Sequence, residues 1–246
     1  SIGLVGSEMC IRDSINNAAT DGGDITIGTG INADSAESLT LDASTGAGNT
    51  GAGAISIAAI GTRGTSQMNT VTVTSGSTGS ITLNGNITQG AGGQGSEGVV
   101  FKGPVIIAEG QSITITTDGG GTDGEVTFTG SGSTISGVNG NAAENLTINS
   151  GKGDVTLAGI VGGTSTTGIG TLKINADSDG ANFDGDITIA AIGPKGGSAV
   201  QGATTVTLGN TGTEALALTG AAYNKGAATY ESKAGDKITL SGASPE

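Results

Sequence analysis

Along almost the whole chain, two aliphatic residues flank a single threonine or other small polar residue. Examples are Ile25-Thr26-Ile27, Leu39-Thr40-Leu41, Val71-Thr72-Val73, Ile81-Thr82-Leu83, Ile187-Thr188-Ile189, Val206-Thr207-Leu208 and Ile238-Thr239-Leu240. Successive side chains of a strand point to opposite faces, so each triplet turns two apolar groups inward and one hydroxyl outward. Val, Ile and Thr are stiff about χ1 and suit a pleated surface, so local preference agrees with the alternation. The pattern predicts a ladder of very short, half-buried strands. Helical periodicity is missing, and the acidic stretch 32–37 is too short for a helix and lacks an apolar face.

Short strands bounded by Gly, Asn, Asp and Ser leave two all-β architectures: a parallel β-helix (β-solenoid), or tandem β-sandwich repeats. The solenoid is preferred. The triplets are shorter than sandwich strands, aromatic core anchors are scarce, and glycine clusters such as Gly90-Ala91-Gly92-Gly93 suit tight corners. The uneven spacing of triplets then requires loops that bulge from the coil. About ten coils, each rising about 4.8 Å, would make a rod on the order of 50 Å.

Composition narrows this further. Glycine supplies 49 of 246 residues against 3 Pro, without a collagen period, while 34% of the chain is hydrophobic, which argues against disorder. With 2% aromatics and no Trp, the interior is expected to be thin and aliphatic. A net charge of −13, with nine scattered Lys and Arg, excludes nucleic acid as a partner. No apolar run is long enough for a membrane-spanning helix, and the start of the chain lacks the layout of a signal peptide.

Self-similarity extends beyond the strand. Ile55-Ser56-Ile57-Ala58-Ala59-Ile60-Gly61 matches Ile187-Thr188-Ile189-Ala190-Ala191-Ile192-Gly193, and Gly23-Asp24-Ile25-Thr26-Ile27 matches Gly153-Asp154-Val155-Thr156-Leu157. Leu39 likewise matches Leu172, and Phe101 matches Tyr230. These offsets imply a unit of about 130 residues. The chain is therefore divided into a leader, 1–20, that is disordered or foreign in style, and a solenoid region, 21–246, with copies near 23–152 and 153–246. Met9-Cys10-Ile11-Arg12-Asp13-Ser14 resembles the translation of a transposon sequencing adapter, which implies a library artefact and a metagenomic origin.

Strings such as Gly79-Ser80-Ile81-Thr82-Leu83-Asn84-Gly85-Asn86-Ile87, Val100-Phe101-Lys102-Gly103-Pro104-Val105 and Gly153-Asp154-Val155-Thr156-Leu157-Ala158-Gly159 carry a wider likeness. Over roughly residues 20–242 the chain resembles the repeats of giant bacterial surface proteins, the filamentous-haemagglutinin-like exoproteins and autotransporter passenger domains. The resemblance is one of style and repeat layout. It implies a fragment of an extracellular β-helical stalk or adhesin at the outer cell surface. Its partners would be a glycan or protein of a host cell or matrix, or further copies joined through the solenoid ends.

Little chemistry competes with that reading. There is no histidine, and Cys10 is the single cysteine, which removes imidazole bases, imidazole metal sites and disulfides. Three Gly-x-Gly-x-x-Gly strings, starting at Gly46, Gly90 and Gly119, do not open a helix as a phosphate loop must. The carboxylates Asp177, Asp179, Asp184 and Asp186 form the one candidate calcium loop. Neither the twelve-residue helix-flanked loop nor the calcium nonapeptide repeat is present, and the matching stretch 42–50 has one carboxylate, so a solvated turn is preferred. No metal or cofactor is assigned. A carbohydrate-active β-helix enzyme would need clustered carboxylates with Arg or Lys in a groove, so it is an alternative only. The other is an ice-binding solenoid, whose water-ordering residues would be Thr26, Thr82, Thr127, Thr156 and Thr188. The expectation is a non-catalytic, structural and adhesive stalk segment.

Overall fold

A computed structural model describes residues 23–33, 37–44, 53–61, 68–89, 98–118, 123–130, 132–138, 143–162, 167–176 and 185–192. For 8–12, 203–209, 216–218, 227–231 and 238–240 it describes the strand backbone alone. The fold is all-β and every strand pair is parallel, as a β-helix requires. Among the described residues there is no helix.

The chain winds through three faces in turn. The first face stacks Glu8–Arg12, Glu37–Asp42, Met68–Thr74, Gly98–Lys102 and Val126–Thr129, then the opening halves of Val155–Val161 and Ile187–Ile192, then Leu216–Leu218 and Ile238–Leu240. The second face stacks Ile25–Ile27, Ile55–Ile57, Ile81–Leu83, Val105–Ile107 and Ile135–Ser136, followed by the closing halves of the two long strands. The third face begins with bridges from Ile31 to Ile60 and from Ile60 to Ile87. It continues through Ile87–Thr88, Ser112–Thr116, Asn145–Asn149, Ile169–Asn175, Ala203–Gly209 and Ala227–Glu231. Successive register partners Leu39, Val71, Val99, Val126, Val155 and Ile187 put about 27 to 32 residues in each of these coils, against 22 between Leu216 and Ile238.

The alternation seen in the sequence becomes the radial order of the coil. Leu39, Leu41, Val71, Val73, Ile81, Leu83, Leu146 and Ile148 are buried, while the intervening Thr40, Thr72, Thr82 and Thr147 are half-buried on the outside. Because register is in phase from rung to rung, like residues stack on like. The column Leu41, Val73, Phe101, Phe128, Leu157 and Ile189 runs up the inside of the first face. Here the interior departs from purely aliphatic: the Phe101 and Phe128 rings stack at 4.8 Å with an interplanar angle of 29°. Met68 is also buried. Among the described residues the first face carries nine rungs.

Corners absorb the uneven spacing. Between the first and second faces the chain uses residues 43–54 in one coil, only Gly103 and Pro104 in another, and Ala158 and Gly159 in a third. The strands on either side stay paired, with a register shift between Leu157 and Ile160 where that corner meets the next coil. The segments matched by the internal repeat sit on different faces: residues 23–27 and 55–57 on the second, their counterparts 153–157 and 187–189 on the first. Leu39 and Phe101 lie on the first face, Leu172 and Tyr230 on the third. Each match steps back by one face, so a unit of about 130 residues is not a whole number of coils. Residues 8–12, set apart by their composition, form the first rung, with Met9 and Ile11 at the register positions of Leu39 and Leu41.

Candidate functional site

The register aligns the outward side chains into columns. On the first face Thr40, Thr72, Val100, Thr127, Thr156 and Thr188 stand one above another. The second face carries Thr26, Ser56, Thr82 and Ile106, and the third carries Thr114, Thr147 and Lys173. The threonines suited to ordering water are thus divided between two faces, Thr26 and Thr82 on the second and Thr127, Thr156 and Thr188 on the first.

Of the four candidate calcium ligands, Asp177, Asp179 and Asp184 lie outside the described residues. Asp186 is exposed immediately before Ile187–Ile192, and its amide donates to Asp154 Oδ1 at 2.9 Å. That contact belongs to a recurring device. The Ala54 amide donates to Asp24 Oδ1 at 2.8 Å, the Lys152 amide to Asp123 Oδ2 at 2.9 Å, and the Thr114 amide to Asn86 Oδ1 at 2.8 Å. In every case the acceptor side chain holds the amide of the residue at its own register position one rung on. The Asp of the Gly-Asp-Ile/Val-Thr strings therefore staples adjacent coils, satisfying corner amides that would otherwise lack a protein acceptor. Among the described residues, no three His, Cys, Asp or Glu come together to hold a metal ion.

Buried polar residues form a second device, one that triplet reading passed over. Gln89 and Thr117 follow third-face strands at the inward position and are fully buried; Ser150 is placed likewise, but its Oγ has no hydrogen-bond partner and takes no part in the device. Gln89 Nε2 donates to the Gly98 carbonyl at 3.0 Å across the corner 90–97. Thr117 Oγ1 donates to the Gly124 carbonyl at 2.6 Å, and the Gly124 amide returns a bond to the Thr117 carbonyl at 3.2 Å. Ser75 does the same work between the first and second faces, reaching the Gly79 carbonyl at 3.5 Å. A loop can thus leave the coil while its neck stays closed. The signal in the sequence is a polar residue in phase with the inward set, as in Ile115-Thr116-Thr117. Thr117→Val should lower stability by about 1–3 kcal/mol, because it keeps the shape and strands a buried carbonyl. A lower urea midpoint with an unchanged slope would register this, and Thr117→Ser should recover most of the loss.

The three Gly-x-Gly-x-x-Gly strings all precede strands, Ile55–Ile57, Gly98–Lys102 and Val126–Thr129, and lie mostly outside the described residues. The described lysines point different ways: Lys102 outward from the first face, Lys173 outward from the third, and Lys152 from the corner between them. No helix among the described residues is long and apolar enough to cross a membrane. Comparison with protein-family models, with curated proteins and with solved structures finds no match.

Proposed function

We propose that the chain is a non-catalytic structural and adhesive stalk segment of a large bacterial protein, secreted or held at the outer cell surface. The observation that supports this most is the parallel stacking of nine strands on one face among the described residues, with the inward column from Leu41 to Ile189 in phase. A stack of that kind spans about 40 Å at about 4.8 Å per rung. Bending it means distorting three backbone ladders and a continuous core at once. Its stability is close to a sum over neighbouring coils, so coils can be added without redesign, as a long projecting stalk needs. The charge of −13 keeps neighbouring rods apart at low salt. A glycan or protein of a host cell or matrix is the partner class, met by hydroxyl columns and by loops at the corners.

Labelled protein offered to glycan arrays, matrix proteins and cells should show saturable binding to one of them, and acidic polysaccharides incubated with it should stay intact. Release of oligosaccharides would replace the stalk by an enzyme. One observation favours a second reading: on the first face Thr40, Thr72, Thr127, Thr156 and Thr188 stay aligned, interrupted by Val100, although coil length varies, and aligned hydroxyls are the order an ice-binding surface needs. Thermal hysteresis at micromolar protein would support that reading over adhesion.

A further inference from the structure

The string Asn-x-Ser/Thr, the acceptor pattern for a sugar on nitrogen, occurs twice in the chain, as Asn86-Ile87-Thr88 and as Asn145-Leu146-Thr147. Both stand at the opening of third-face strands, Ile87–Thr88 and Asn145–Asn149. Alternation along a strand puts the Asn and the Thr of each string on the outer side and the aliphatic between them in the core. Ile87 and Leu146 are fully buried accordingly. The two strings are alike in sequence and in face, and they differ in what becomes of the side-chain nitrogen.

Asn145 Nδ2 is engaged. It donates to Ser112 Oγ at 2.9 Å and to the Ala143 carbonyl at 3.3 Å. The residue is half-buried, with Ser112 and Thr171 at its register position on the rungs to either side. Asn86 is exposed. Its Oδ1 accepts the Thr114 amide at 2.8 Å, and because that partner is a donor, the contact fixes which end of the side-chain amide is oxygen. Among the described residues nothing accepts a hydrogen bond from its Nδ2. On the preceding rung its register position belongs to Ala59, whose side chain is a single methyl.

The other staples sharpen the contrast. Asp24, Asp123 and Asp154 each hold the same kind of corner amide with a carboxylate oxygen. An oxygen is all that the staple uses, so Asp would serve at position 86 as well. The one staple built with Asn is the one followed by Ile-Thr, and its nitrogen is left over.

We propose that Asn86 is a glycosylation site, whose Nδ2 takes a sugar from a donor activated as its diphosphate. Nδ2 attacks the anomeric carbon of the donor. The C–N bond forms as the bond from that carbon to the diphosphate oxygen breaks, the diphosphate leaves with the electron pair, and one Nδ2 proton passes to solvent. Nothing is oxidised or reduced. Oδ1 keeps its lone pairs, so the staple to Thr114 survives and the sugar projects from the third face without opening the coil. The inference does not depend on the stalk reading.

The test presents the whole folded chain to an N-glycosyltransferase that reads Asn-x-Ser/Thr, with a uridine diphosphate hexose as donor, and maps the product by peptide mass spectrometry. One hexose should be found on Asn86 and none on Asn145. The same chain digested to peptides beforehand should take hexose at both, because the bonds that hold Asn145 Nδ2 are then gone. Asn86→Asp should lose the modification and melt with the wild type, since it keeps the acceptor for the Thr114 amide. Thr88→Val should lose it too, with Asn86 still in place. An Asn86 left unmodified in the folded chain would overturn the proposal, whatever the peptides do. So would hexose on Asn145 of the folded chain to the same extent as on Asn86. An Asn86→Asp protein melting well below the wild type would show that the nitrogen has structural work, and the argument from a spare nitrogen would fail. If that variant does not fold, the wild-type map and Thr88→Val decide the matter.

Discussion

Replacing Gly153 by alanine should destabilise the protein by about 3 kcal/mol, seen as a melting temperature lower by about 10 °C. Gly124, Gly153 and Gly185 stack at the corner where the third face passes into the first. A Cβ on Gly153 would run into the Gly124 carbonyl oxygen, and one on Gly185 into that of Gly153. Neither obstacle is a flexible side chain. Each belongs to backbone that cannot shift without disturbing the adjoining rungs, where the Val126 amide donates to the Asp154 carbonyl and the Val155 amide to that of Asp186, both at 2.8 Å. The matched control is Gly28→Ala. Nothing lies within 4 Å of a Cβ there and its φ is not in the left-handed region, so stability should change by under about 0.5 kcal/mol. Equal losses at the two sites would show that chain flexibility, and not the close approach of rungs, makes glycine necessary at position 153.

Truncating Phe101 to alanine should cost about 3–5 kcal/mol. Phe101 is fully buried between Val73 and Phe128 in the inward column of the first face, and its ring rests on that of Phe128 at 4.8 Å. The cavity would open in the core that the faces share, with no second layer to move in and fill it. A double-mutant cycle with Phe128→Ala should show a coupling of about 1 kcal/mol from the stacked rings. Because each coil touches only its neighbours, lost hydrogen-exchange protection should centre on 98–102 and 126–129 and fade within a rung or two. Loss spread evenly over all coils would mean that the stack unfolds as one cooperative block.

The inside and the outside of the coil were legible from the chain. In Leu39-Thr40-Leu41 or Ile81-Thr82-Leu83 the period of two leaves one consistent assignment, since a shift by one residue would bury the hydroxyl and expose both aliphatics. The preference for a solenoid over sandwiches rested on the same brevity of the triplets, and the parallel register upholds it. Less legible was the work of the acids. Nothing in the order of residues marks Asp154 or Asp24, and only the stacking of coils shows that each accepts an amide from the rung beyond. Asp186, considered as a calcium ligand, supplies its amide to such a staple. Glu144 stands in phase with the inward Leu146 and Ile148, but that it is buried beside Gly110 of the preceding coil and Gly168 of the following one is visible only once the corners stack.

The repeat illustrates the division most plainly. That residues 55–61 and 187–193 are alike is a fact of composition and order, and so are the alternation, the acidity and the shortage of aromatics. Those follow from local rules: side-chain direction along a strand, and the preference of β-branched residues for a pleat. How many residues close a coil, and hence which face a given triplet joins, is set by stacking. One copy's second-face strand, Ile55–Ile57, has its counterpart on the first face in Ile187–Ile192. A corner may lengthen or shorten without altering any triplet, so the sequence alone determined which way each side chain points. Only the pairing of one coil with the next decided what it meets there.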